Sequence, residues 1–248
     1  MTCGSRTPAA FWESTFRRLA ASPRPLPPSV FDRGLEAAER FLGLLAPGCR
    51  ILDLGCGAGR NALALARRGF RVSVCDVSRA AVRLCRRAAA AEGLSVSRVV
   101  MRKGRYLLSA GAGFGGLVVW SVLDHLPTLE ARGAMAELGR VAGPGALLLG
   151  SFDSDDEQSH HQPHDVLPDG AFRFTGGKRE GMLWRFYSNE EIRDLLAPEW
   201  EILVLAGREP KETRVVLAAR RSGRRGASRP PSSHTTGHAG PHPAVQQG

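Results

Sequence analysis

The feature that most constrains this chain is the run Ile51-Leu52-Asp53-Leu54-Gly55-Cys56-Gly57-Ala58-Gly59-Arg60-Asn61. An apolar strand passes directly into a glycine-rich turn, and the turn opens a helix. Glycines there let the backbone approach a ligand closely, and the helix start presents N–H groups with no partner inside the helix. The spacing is GxGxG, with Arg60 standing where a dinucleotide fingerprint has its third glycine. Asp53 lies two residues before the first glycine, at the strand end. It would repel a pyrophosphate and welcome an amino or sulfonium cation. A second acid, Asp76, ends the next strand, twenty-one residues past Gly55. There a carboxylate can accept the hydroxyls of a ribose at the switch point of a parallel sheet. Two acids and three glycines together fit an adenosyl ligand with a cationic amino-acid end.

Around this turn, short apolar runs alternate with helix-like ones. Strands are expected over 50–54, 71–75, 97–101, 117–122 and 146–152, and helices over 61–68, 78–91 and 129–141, the last ending at Gly143-Pro144-Gly145. Such alternation calls for a parallel sheet covered on both faces. Upstream, 8–21 reads as a short amphipathic helix broken by Pro23, Pro25, Pro27 and Pro28. Ser29 then starts a second helix with Phe31, Leu35, Ala38, Phe41, Leu42 and Leu45 as its apolar stripe. Downstream, 153–179 is too rich in His, Asp, Pro and Gly for core. A helix resumes at Ser188 with Glu191 completing a capping box. The runs 200–205 and 213–219 then form an antiparallel hairpin at the sheet edge. Residues 221–248 carry no apolar pattern and are expected to be a disordered basic tail. The chain thus divides into N-terminal helices covering the ligand site (1–46), an α/β domain with a lid-like insertion at 153–187 (47–220), and the tail.

Composition narrows the classes. Aromatic residues are only 6%, so the core must be built from Leu, Val and Ala, which argues against an aromatic-rich β-sandwich. Apolar runs such as Ala146-Leu147-Leu148-Leu149 fall far short of the ~18 residues a membrane span needs, and charges interrupt the first twenty residues where a leader would be apolar. Cys3, Cys49, Cys56, Cys75 and Cys85 show no CxxC or finger spacing and read as reduced packing residues of a cytoplasmic protein. Of the net charge of +10, Arg220, Arg221, Arg224, Arg225 and Arg229 carry five. Such a tail could hold nucleic acid loosely or be a solvated end. His160, His161 and His164, with Asp153, Asp155, Asp156, Glu157 and Asp165, have the residue types of a metal site. Turn-formers separate them, so a solvated lid and no metal are expected.

Asp53-Leu54-Gly55-Cys56-Gly57-Ala58-Gly59 and Val74-Cys75-Asp76-Val77-Ser78 resemble the cofactor loop and second motif of the class I S-adenosylmethionine-dependent methyltransferases. The resemblance implies an α/β, Rossmann-like fold: a seven-stranded, mostly parallel sheet with an antiparallel last strand and helices on both faces. It implies S-adenosyl-L-methionine as cofactor. Asp53, Gly55, Cys56, Gly57 and Asn61 would hold the methionine end, Asp76 the ribose, and Val77 the adenine face. Gly104 and Arg105 would flank the adenine edge, and Ser121 would lie beside the sulfonium. The chain departs from the family in two places: Gly104-Arg105 stands where an acid usually follows strand three, and Phe114-Gly115 where Phe-Asp is common.

Gly59-Arg60-Asn61 and the segment Gly181-Met182-Leu183-Trp184-Arg185-Phe186-Tyr187 are similar to the tellurite-resistance and related small-molecule methyltransferases. That likeness puts Arg185 and Tyr187 over a substrate mouth. Arg185 would either grip an anionic acceptor or pair with a surface acid. Asp124 and His125 fall just past strand four, at the carboxyl edge where such folds bind ligands. His125 is the candidate general base and Asp124 a substrate contact; the alternative is a helix-entry pair before Pro127. Trp12 and Phe16 either close over the cofactor or form an ordinary packing face. The expected activity is methyl transfer to a small molecule. The alternatives are methylation of RNA or protein with the tail as tether, and a non-catalytic cofactor-binding protein.

Overall fold

The run before the glycine turn forms β1 (Arg50–Leu54), flanked in parallel by β2 (Arg71–Cys75) and β4 (Phe114–Val119). The structure, a computed structural model, describes residues 7–22, 24–100, 110–153, 160–207 and 212–221. The sheet extends through β3 (Ser97–Arg98) on one side and through β5 (Ala142–Phe152), β10 (Arg214–Arg220) and β9 (Trp200–Ala206) on the other. Its order is β3-β2-β1-β4-β5-β10-β9. β10 is antiparallel to both neighbours, so the last strand inserts between β5 and β9. This is the strand arrangement that the resemblance implies.

The two-residue period of a strand sorts side chains to opposite faces. Leu52, Leu54, Leu117, Val119 and Leu148 pack under α5 (Thr128–Val141) and α6 (Asn189–Leu196). Ile51, Val72, Val74, Val118 and Leu149 pack under α2 (Glu36–Leu44), α3 (Arg60–Arg67) and α4 (Arg79–Ala91). Both faces are covered, which is why the strands read as nearly continuous apolar runs.

Several boundaries differ from expectation. β4 starts and stops three residues earlier. Gly115 and Gly116 join it because α2 packs so closely that a Cβ on Gly116 would lie 3.0 Å from Phe41. The strand ends before Ser121, whose φ of 51° turns the chain out of the sheet. β5 begins at Ala142, with a register shift that absorbs the Gly143–Gly145 turn. β3 is two residues long rather than five. Residues 29–45 do not make one helix: a 3-10 turn, Val30–Asp32, is separated from α2 by Gly34, at φ 64°.

The largest correction concerns the polar stretch after Phe152. From residue 160 it builds a three-stranded antiparallel sheet: β6 (His164–Val166), β7 (Phe172–Phe174) and β8 (Leu183–Trp184). Phe172 and Phe174 alternate with Arg173 and are buried with Met182 and Phe11 in a small core, flanked by Trp12, Trp184 and Phe186. That core docks α1 (Pro8–Ala21). Composition averaged over the segment conceals a three-residue alternation. Residues 222–248, most of the expected tail, lie outside the described residues.

Candidate active site

The glycine turn is locked by backbone shape and by space. Gly55 has φ 71°, and a Cβ there would stand 2.3 Å from Val122 Cγ2. Gly59, at φ 101°, precedes α3 and would meet Cys85 Sγ at 2.7 Å. No other residue satisfies both conditions. The N–H groups of Gly55 and Cys56 donate to the Cys75 carbonyl at 2.9 and 3.1 Å, tying the turn to the end of β2.

Asp76 faces the turn from that strand end. Its Oδ2 accepts from Gly57 N at 3.0 Å and its Oδ1 from Ser78 N at 2.8 Å. Each oxygen keeps a lone pair for a further donor. Burial raises its carboxyl to about 6, although those two N–H groups pull the other way. Asp53 is buried, with Oδ2 unpartnered among the described residues. Burial first, then the charge of Asp76, lifts its carboxyl to about 7, while Arg60 opposes the shift. A buried carboxylate oxygen without a donor, beside a turn that excludes side chains, calls for a cationic partner. These residues fit the amino-acid end and ribose of an adenosyl sulfonium ligand.

The other residues expected at this end divide in their roles. Val77 is 48% exposed just past β2, an aliphatic surface open to a flat partner. Ser121 sits in the left-handed region beyond β4, its N–H donating to Ser151 Oγ at 2.9 Å. Cys56 offers backbone to the turn; its thiol is buried beside Cys85, and that neighbour and burial push its pKa well above the usual range. Asn61 turns inward: its Oδ1 accepts from Ser29 Oγ at 3.0 Å and Val30 N at 3.1 Å, tethering the N-terminal segment to α3. Gly104 and Arg105 lie outside the described residues.

On the acceptor side, His125 ends a short 3-10 turn after β4. Its Nδ1 lies 2.9 Å from the Leu183 carbonyl. A carbonyl only accepts, so Nδ1 carries the proton and the Nε2 lone pair is left to accept another. Burial lowers the His125 pKa and keeps the ring neutral. Trp12 and Trp184 flank the ring, with centroids 4.9 and 6.1 Å away. Asp124, Arg185 and Tyr187 are brought together beside it. Arg185 N–H donates to the Asp124 carbonyl at 2.7 Å, and its guanidinium lies 4.9 Å from the Tyr187 ring centre. All three are buried. Arg185 pairs with Glu191 at 2.6 Å and reaches Asp169 at 3.8 Å, the pairing option its sequence left open. Burial and Asp153 raise the Asp124 carboxyl well above the carboxylate range. Among the described residues no group of three or more His, Cys, Asp or Glu is placed to hold a metal.

Sequence reasoning missed three participants. Arg214, 1% exposed on β10, donates to the Tyr187 carbonyl and stabilises charge on both Asp124 and Asp153. Asp153, at the end of β5, lies in the field of His125, Arg214 and Arg60. Glu13 of α1 accepts from Ser78 Oγ at 2.8 Å and Ala80 N at 3.1 Å, while Phe16 would lie 3.3 Å from a Cβ on Gly57. Helix α1 therefore lies over the glycine turn. A buried arginine inside a strand run was the one visible signal.

Residues 51–145 match the family model of a methyltransferase domain. With the fold, this makes the chain similar to the class I S-adenosylmethionine-dependent methyltransferases. A ubiquinone biosynthesis O-methyltransferase of Methylocella silvestris is 36% identical over 111 residues, covering 45% of this chain and 42% of that protein. The chain spans half the length, or less, of the first curated relatives it matches. Among solved structures, an S-adenosylmethionine-dependent methyltransferase of Methanosarcina mazei superposes with TM-score 0.60 at 22% identity, covering 73% of this chain and 96% of that one. TehB of Haemophilus influenzae superposes with TM-score 0.56 at 16% identity, covering 85% and 67%.

Proposed function

We propose that this protein transfers a methyl group from S-adenosylmethionine to a small-molecule acceptor. The observation that carries the reading is the buried, unpartnered Oδ2 of Asp53 beside the glycine turn. S-adenosylmethionine, when bound, supplies a methyl group on a sulfonium, open to in-line displacement by a nucleophile. Asp53 takes the ammonium group, Asp76 the ribose hydroxyls, and Val77 underlies the adenine. Neutral His125 receives the acceptor's proton on Nε2, which suits a hydroxyl acceptor; a thiolate or other ionised nucleophile needs no base. The O-methyltransferase named among the relatives favours oxygen. Trp12 and Trp184 give the acceptor an aromatic wall. Asp124, Arg185 and Tyr187 shape its floor, and α1 with residues 160–187 excludes water. No helix among the described residues is long and apolar enough to cross a membrane. Cys49, Cys56, Cys75 and Cys85 are free thiols, which supports a reducing, cytoplasmic setting.

The test is calorimetric titration with S-adenosylmethionine and S-adenosylhomocysteine, beside Asp76→Ala, followed by assay of S-adenosylhomocysteine release with phenol, thiol, amine, selenite and tellurite acceptors. Micromolar binding that collapses in the variant, with turnover on one acceptor class, is expected. Absence of heat with either ligand in a folded protein would defeat the reading.

A further inference from the structure

Arg79, Arg83 and Arg86 of α4 are spaced four and then three residues apart, which sets them on one face of the helix. Arg98 of the edge strand β3 brings a fourth guanidinium to the same place. With the buried Val82 these arginines line a groove of about 400 Å³, and no acidic side chain among the described residues lines it. All four arginines are exposed. Among the described residues the side chains of Arg79, Arg86 and Arg98 form no ion pair. Arg83 lies 3.9 Å from Glu13, whose carboxylate already accepts from Arg17, Ser78 and Ala80. Like charges at this spacing oppose a helix. The groove therefore gathers positive groups from two elements with little compensation of their own, and an anion there would supply it.

We infer that this groove is a binding site for a compact polyanion, a short chain of linked phosphates. Guanidinium forks meet phosphate oxygens in pairs. Four of them around so small a space call for several negative charges held close together. No aromatic side chain lines the groove, so a nucleotide base would find nothing to stack on, and the site reads phosphates alone. None of Asp53, Gly55, Asp76, Val77 and His125 lines it either, so it is expected to fill independently of the donor site proposed above.

The experiment is calorimetric titration of the full chain with inorganic tripolyphosphate at low salt, where exposed charges are least screened. Arg86→Gln/Arg98→Gln should weaken binding by roughly 5- to 30-fold, as for two exposed charge pairs. Arg40→Gln/Arg132→Gln removes as much charge from exposed positions on α2 and α5. It should change the affinity by no more than about twofold, since those positions lie outside the groove. Exposed substitutions of this kind leave the fold intact. Saturating S-adenosylhomocysteine should leave the affinity for tripolyphosphate unaltered. No binding by the wild type, or equal losses in both variants, would overturn the inference and leave only the general positive charge of the chain. Competition by S-adenosylhomocysteine would overturn it by making the groove part of the donor site. A single-stranded oligonucleotide that binds more tightly than tripolyphosphate, with the same loss in Arg86→Gln/Arg98→Gln, would replace the compact anion by a nucleic-acid backbone.

Discussion

The ring of Trp12 lies 4.9 Å from that of His125, so helix α1 closes the sheet edge that carries the candidate base. One residue on, Glu13 fastens the helix to the start of α4 through Ser78 and Ala80. Glu13→Gln keeps an acceptor there and removes the charge from those bonds. Amide exchange across 8–21 should quicken by about tenfold, the equivalent of about 1.4 kcal/mol. Unchanged exchange would mean that Phe11 and Trp12 alone hold the helix. Burial pushes the Glu13 carboxyl up, but Ala80 N–H, Arg17 and Ser78 outweigh it and hold it at about 2. The contribution is therefore complete above the ordinary carboxylate pKa and is lost as pH falls through about 2.

Removal of the Nε2 lone pair should act on chemistry and not on donor binding. His125→Ala is expected to lower kcat on a hydroxyl acceptor by roughly 10²- to 10⁴-fold, with the Kd for S-adenosylhomocysteine within about threefold of wild type. At saturating donor, the wild-type rate should rise with pH through a value below the ordinary histidine pKa, because burial favours the neutral ring, and then level off. Steady-state kinetics from pH 5 to 8 checks both statements. A variant with full kcat would leave His125 as a packing residue between two tryptophans.

Much of this architecture was legible in the chain. The apolar runs at Arg50–Leu54 and Arg71–Cys75 located those strands to the residue, because burial on both faces leaves Asp53 and Ser73 as the polar members among otherwise apolar buried positions. The Ser188–Glu191 capping box placed α6, and both of its hydrogen bonds are present. The small sheet was not legible, since its strands are two or three residues long and their partners lie on α1, more than 150 residues upstream in sequence. The places of Asp53 and Asp76 could be read because strand ends fix them. The surroundings of His125 could not, because its contacts with Trp12 and Trp184 join three separate segments. Arg214 is similar: in sequence it is one more basic residue, and only the fold shows it buried beneath Tyr187.

Asp53 sets donor binding against stability. Its carboxyl is raised to about 7 by burial, and a bound ammonium favours the ionised form. Affinity for S-adenosylhomocysteine should therefore weaken by about tenfold as pH falls from 8 to 6. Because the folded state holds this proton more tightly than the unfolded chain, the sign for stability is opposite. The group stabilises the fold below the ordinary carboxylate pKa, and that contribution is lost as pH rises toward about 7. Asp53→Asn should abolish donor binding while raising stability at pH 8 by up to about 4 kcal/mol, the equivalent of a shift of about three pH units. Thermal melts at pH 5 and pH 8 test this; a variant less stable at both would show that the ionised carboxylate supports the fold.

Gly55 separates two reasons for a glycine that usually travel together. Its φ of 71° costs an L-residue about 1–2 kcal/mol, and a Cβ would also stand 2.3 Å from Val122 Cγ2, an overlap worth roughly 1–3 kcal/mol. Gly55→Ala should thus destabilise by about 3 kcal/mol and lower Tm by roughly 6–12 °C. In a Val122→Ala background the overlap is gone and the backbone share remains. There the same substitution should cost only about 1–2 kcal/mol. Chemical denaturation of the four proteins of this cycle measures the difference. Equal costs in both backgrounds would remove Val122 from the account and leave backbone shape as the whole reason for glycine. Donor binding should be weakened in both proteins that carry Gly55→Ala, because the turn that faces Asp76 must keep its left-handed path for the Gly57 N–H to reach that carboxylate.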